Sequence, residues 1–148
     1  MVVKTYPNPS AHYGELVCTA GIRLRDGEWV RIYPYPFRLV PEQNRFKKYD
    51  IIEARLEPPR EYDPRPESFR LSDPQSVSRI GHLDTRGNWA ARMRHILPTV
   101  VPSVQAFQAA MFPDSTRWGP SIRPVQIVPE SARLICHHRG ETWSEEEL

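Results

Sequence analysis

The chain has 148 residues, 39% of them hydrophobic, and a formal net charge of +2; this is the size of one domain, able to bury roughly two thirds of its unfolded surface, and it excludes a second full domain. No apolar run approaches the roughly 18 residues that span a bilayer, and the opening MVVKTYPNPS lacks the apolar stretch of a signal peptide, so the expectation is a cytoplasmic protein with no membrane partner. The charge is uneven: the last nine residues, GETWSEEEL, hold four acids and no base, so that 20 bases face 14 acids before residue 140, and 17 of those bases are arginine.

Arginine suits bidentate and stacking contacts with phosphates and bases, although a GC-rich genome produces the same skew. Cys18 and Cys136 lie far apart in apolar, strand-like segments, where a reducing cytosol makes them small buried hydrophobes rather than a disulfide. Sixteen prolines exclude long helices and favour short strands joined by turns.

In chain order, ELVCTAGIR alternates with Leu16, Cys18, Ala20 and Ile22 on one face, and DGEWVRIY follows after Asp26-Gly27, which predicts a hairpin. Val30 and Ile32 then share the core face. That assignment sends Trp29, Arg31 and Tyr33 to the opposite face, where two rings and a guanidinium form a stacking platform for bases. Pro34 and Pro36 stiffen the following YPYPFR, with Tyr35 and Phe37 as a wall beside the platform and Arg38 next to them for phosphate contact. The competing reading buries Trp29 and Tyr33 beneath loops or helices and pairs Arg31 with Glu53.

A third strand over YDIIEARLE puts Ile52, Ala54 and Leu56 inward, with Lys47 and Lys48 just before it adding sequence-independent charge. The proline-rigid loop EYDPRPESFR offers Arg65 and Arg70 as a phosphate clamp oriented by Asp63 or Glu67, or else a self-satisfied ion-pair loop. Before the first helix, IGHLDTRGNW supplies Asp84, Thr85 or Asn88 as caps. The helix GNWAARMRHIL then carries a stripe of Trp89, Met93 and Ile96 or Leu97, with Arg92, Arg94 and His95 off it. A second helix over SVQAFQAAMF starts at Ser103 and stops at Pro113. IRPVQIV and SARLICHH read as closing strands, the first marked by Pro124 as an edge or bulge.

Strands, a helical insert and strands again indicate an α+β domain: a curved, mostly antiparallel small sheet or partly open β-barrel, PUA-like or OB-like, with two short helices inserted before the last strands. Residues 1–139 form this single domain. Residues 140–148 are an acidic tail, disordered or leading into a further domain.

Enzyme signatures are missing. There is no GxxxxGK[ST], GxSxG, HExxH or paired CxxC, no cofactor is implied, and Cys136, His137 and His138 alternate faces and cannot share one metal. The least implausible acid–base set is Asp63, Glu67 and His82, gathered from distant segments. KTYPNPSAHYGELVCTAGI, GEWVRIYPYPFR, FKKYDIIEARL and DPRPESFR, in that order, resemble the N-terminal part of an uncharacterised family of bacterial hypothetical proteins whose longer members continue into a Cys/His-containing part that this chain lacks. RFKKYDIIEA is similar, over a short stretch, to the turn and strand of PUA-like nucleic-acid-binding barrels. The leading expectation is a nucleic-acid-binding domain using an arginine and aromatic surface. The alternatives are a small hydrolase acting on nucleotides or nucleic acid, and a protein-interaction domain of a bacterial assembly.

Overall fold

The hairpin is the centre of the structure, a computed structural model that describes residues 1–5, 8–10, 14–36, 40–59, 63–114, 117–131 and 133. Two short segments, β1 (Val3–Lys4) and β2 (Asn8–Ser10), both pair antiparallel with the long strand β3 (Gly14–Ile22). β3 pairs antiparallel with β4 (Trp29–Tyr35), from Ile22 opposite Trp29 at the turn end, and Gly27 supplies the positive φ that the turn needs.

The core faces differ from strict alternation. Val17, Thr19, Ala20 and Gly21 are buried on β3, while Leu16, Cys18 and Ile22 are half-buried; the strand is covered on both faces. On β4, Val30 and Ile32 enter the core as expected, with Val40, Phe46, Leu71 and Val77. Tyr35, expected on the exposed wall, joins them instead. The register explains why: Val17 faces Tyr35 and Thr19 faces Ile32, so β4 spends three residues where β3 spends two. This bulge at Tyr33-Pro34 reverses the parity and turns Tyr35 inward onto Phe46, with ring centroids 5.0 Å apart.

The third predicted strand is divided between two sheets. β5 (Asp50–Glu53) pairs antiparallel with β8 (Ser78–His82), whereas β6 (Leu56–Glu57) pairs antiparallel with β7 (Ser68–Leu71). The chain crosses from one sheet to the other at Ala54-Arg55, and Ile52, Ala54 and Leu56 all pack against the core as predicted. β7 also lies beside β4 in parallel, Arg31 opposite Ser68, giving the order β1-β3-β4-β7-β6. The fold is therefore α+β with a mixed, mostly antiparallel sheet. Its edge strands do not meet, so the described residues form no closed barrel.

Helix α1 (Arg86–Ile96) opens irregularly, with positive φ at Gly87, Asn88 and Trp89. That start rotates the helix from the predicted register: Arg92 is its buried residue, while Trp89 and Leu97 are exposed. Helix α2 (Val104–Met111) matches its prediction, the Ser103 hydroxyl accepting from the Ala106 amide at 3.1 Å. IRPVQIV is not a strand. It makes a single parallel bridge, Val125 to Val101, in which the Pro124 carbonyl accepts from the Val101 amide at 2.9 Å. SARLICHH, apart from Ser131 and Arg133, and the acidic tail lie outside the described residues. No helix among the described residues is long and apolar enough to cross a membrane.

Candidate functional site

The parallel pairing of β7 with β4 decides the surroundings of Arg31. Because Ser68 sits opposite Arg31, the loop that feeds β7 is laid along the face that was expected to be open, and the Arg31 amide donates to the Glu67 carbonyl at 2.8 Å. The Arg31 guanidinium then donates through Nη1 to Ser68 Oγ at 2.9 Å and to Asp63 Oδ2 at 3.3 Å. Arg31 is left 8% exposed and Trp29 5%. The flat platform of Trp29, Arg31 and Tyr33 is corrected accordingly: only Tyr33, 40% exposed, presents its ring. The partner of Arg31 is Asp63 and not Glu53.

Asp63 is the hub of the loop. Its carboxylate accepts from Arg65 through Nε at 2.7 Å and Nη2 at 2.8 Å, and from Ser68 Oγ at 2.7 Å. The two-pronged Arg65 contact outweighs the cost of burial and holds the Asp63 carboxyl well below the usual carboxylate range. Arg70 is gripped by Glu57. The predicted clamp therefore exists as a pair of neighbouring arginines, each with a carboxylate on its fork, which is the ion-pair alternative of the loop. Glu67 turns away to Ser121, whose amide donates to Oε1 at 2.9 Å.

These pieces converge on one cleft of about 800 Å³. Tyr33, Asp63, Arg65 and Arg70 line it, and so does Trp118, 41% exposed. Five prolines, from Pro34 to Pro74, stiffen its walls. The Arg31 guanidinium lies 4.6 Å from the centre of the Tyr33 ring, a cation–π contact that fixes the ring. Trp118 went unnoticed in the sequence because it follows the second helix at Pro113 and belongs to no periodic segment. It is held by an edge-on contact with Phe112, centroids 5.1 Å apart, and by the Gly119 amide donating to the Met111 carbonyl at 2.8 Å. The RWGP sequence was the available signal: Gly119 permits a close approach at which a Cβ would overlap the Ala110 carbonyl oxygen.

The other named residues lie elsewhere. Lys47 and Lys48 are exposed in the turn before β5 and are not part of the cleft. Arg38 and Phe37 lie outside the described residues. The acid–base set is not assembled: His82, on β8, bonds through Nδ1 to Asp50 Oδ1 at 2.7 Å, while Asp63 and Glu67 have the partners already named. Asp50 is only 2% exposed. Burial pushes its carboxyl up, yet the Lys47 amide and His82 outweigh burial and leave it below its ordinary range. The remaining nitrogen of His82, Nε2, is 3.5 Å from Arg92 Nη2.

The chain belongs to a domain family of unknown function, DUF8758, whose model matches residues 1–98. The matched region carries the hairpin, Asp63, Arg65 and Arg70; Trp118 lies beyond it. No curated protein and no solved structure matches the chain.

Proposed function

We propose that the domain is a cytoplasmic nucleic-acid-binding module that takes a single-stranded segment into the cleft of Tyr33 and Trp118. The observation that carries this reading is the meeting of two exposed rings with Arg65 and Arg70 on one cleft, these four residues coming from three separate segments. Bases stack on such rings for about 1–3 kcal/mol each, without regard to sequence. The arginines contribute differently from a bare phosphate clamp: with Asp63 and Glu57 on their forks, they form a rigid rim whose net charge is modest. The binding therefore draws more on stacking than on counterion release. An unclosed sheet flanked by loops is also a feature of OB-like barrels that hold oligonucleotides, and a PUA-like or OB-like kinship is part of the proposal.

The experiment is fluorescence anisotropy with labelled single-stranded and duplex DNA and RNA over a salt series, comparing the wild type with Tyr33→Ala, Trp118→Ala. The expected result is a preference for single strands, a shallow salt slope and a loss of at least about tenfold in the variant. Absence of binding to every form at low salt would overturn the proposal. Pairing of both arginines with carboxylates favours a second reading, a protein contact in which the proline wall and the rings act as a hot spot. That reading predicts a partner polypeptide whose capture is lost in the same variant while oligonucleotides remain unbound.

A further inference from the structure

Arg92 stands in a different position from every arginine of the cleft. It is 9% exposed and always protonated, yet among the described residues no carboxylate takes its fork. Nε donates to the Leu83 carbonyl at 2.7 Å, Nη2 approaches His82 Nε2 at 3.5 Å, and Nη1 donates to none of the described residues. Two aromatic rings, set nearly perpendicular to each other, stand against it, the Tyr49 ring centre 3.8 Å and the Trp89 ring centre 5.1 Å from the guanidinium carbon. The nearby acids have closer partners: Asp84 bonds to Arg86 and feels Arg92 only as its weakest influence, and Asp50 bonds to His82 and the Lys47 amide. A buried charge normally requires a hydrogen-bonded counter-charge.

The backbone is held in rare conformations at the same place. Tyr49 and Trp89 have φ of 67° and 65°, a region that costs non-glycine residues about 1–3 kcal/mol and collects at ligand sites. Both rings are thereby brought to Arg92. Arg92, with Tyr49 and His95, lines a half-open cavity of about 730 Å³ between the two sheets. The other walls are mostly apolar and include Ile22, Val30, Ile32, Ile52 and Leu83; Arg23, Arg25, Asp50 and Glu53 are the remaining charged residues of the lining. The volume is that of an ordinary small-molecule site.

We infer that this cavity binds a small amphipathic carboxylate, its apolar body between the sheets and its single negative charge on Arg92. Arg23 and Arg25 are offset in number by Asp50 and Glu53 in the lining, which leaves the Arg92 guanidinium to fit one charge; a phosphate dianion would carry a second charge past the two acids. The site is separate from the Tyr33–Trp118 cleft and stands or falls independently of it.

The probes are sodium octanoate, octanol and octyl phosphate, titrated into the intact domain and followed by NMR through the Arg92 Nε–H resonance and by calorimetry. Octanoate is expected to shift that resonance and to bind at least about tenfold more tightly than octanol, and Arg92→Met should reduce octanoate affinity to that of octanol. Ile96→Trp, at the cavity wall, should weaken both acid and alcohol, and it provides a variant with Arg92 intact. Equal binding of acid and alcohol, tighter binding of octyl phosphate than of octanoate, or no shift of the Arg92 resonance at millimolar octanoate would each overturn the inference.

Discussion

Two buried guanidiniums, Arg31 and Arg92, show opposite ways of keeping a charge inside one small domain. Arg31 is matched within the chain: Asp63 and Ser68 hold its Nη1, and Asp63 is shared with Arg65. Arg92 has a carbonyl, a histidine nitrogen and two rings, and no carboxylate among the described residues. An internally matched arginine serves as scaffold, fixing the Tyr33 ring and the loop that walls the cleft. An unmatched one keeps its charge for something that arrives from outside. The same residue type therefore marks architecture on one side of the sheet and recognition on the other, and burial does not separate the two roles; the identity of the partner does.

Removing the carboxylate breaks the comparison most sharply. Asp63→Ala leaves Arg31 buried without its counter-charge, and should cost about 3–5 kcal/mol in urea unfolding. Arg92→Met removes a charge that holds no carboxylate on its fork and acts on Asp84 only at longer range, exchanging the hydrogen bond to Leu83, the approach to His82 and the two ring contacts for relief of desolvation. It should stay within about 1 kcal/mol of wild type. Equal losses in the two variants would mean that Arg92 is as fully matched as Arg31.

The next effect is on binding. Gly119→Ala forces a Cβ into the Ala110 carbonyl and must displace the backbone that carries Trp118. Its affinity for single strands should fall as far as that of Trp118→Ala, by about 1–3 kcal/mol, while the Arg92 cavity titrates unchanged. A loss at both sites would show that the two regions are not independent.

Acid should separate the regions more gently. Asp63 and Asp50 both sit below the ordinary carboxylate range when folded. Their contribution is therefore present above the unfolded value near 4 and is lost as the pH falls through the depressed folded value. The melting temperature should decline as the pH is lowered beneath about 4, and Asp63→Asn should decline less steeply. An unchanged slope in that variant would remove Asp63 from the account.

The sequence carried the local parts of this picture and missed the parts made by distant pairing. The Asp26-Gly27 turn, the inward Val30 and Ile32, the Ile52, Ala54 and Leu56 series, and the Ser103 cap all follow from neighbours a few residues apart. The burial of Trp29 and Arg31 follows from the parallel approach of β7, which no period in β4 announces. Tyr35 was misassigned because one bulged residue reverses every side chain after it. Asp50 meets His82, and Tyr49 meets Arg92, only because β8, a strand not anticipated from SRIGH, folds back on β5. Of the cleft, Tyr33, Asp63, Arg65 and Arg70 were legible as residue types in rigid, proline-bounded segments. Trp118 was not, because its place depends on the end of α2.

That dependence sets the smallest prediction. α2 buries none of its residues fully, so most of its order comes from its own hydrogen bonds and ends. At one end the Ser103 hydroxyl caps the Ala106 amide; at the other Phe112 and the Gly119 amide hold Trp118. Ser103→Ala removes about 1 kcal/mol from the start of the helix. Because α2 is loosely attached, that loss should appear as local opening rather than as global unfolding. Amide exchange over residues 104–111 should quicken by about fivefold, with the midpoint of urea unfolding nearly unchanged and the loss of single-strand affinity smaller than in Gly119→Ala. A shift of the whole unfolding curve by the full amount would place α2 inside the cooperative core. Trp118 would then be as rigidly built into the cleft as Tyr33, which has the Arg31–Asp63 pair behind it.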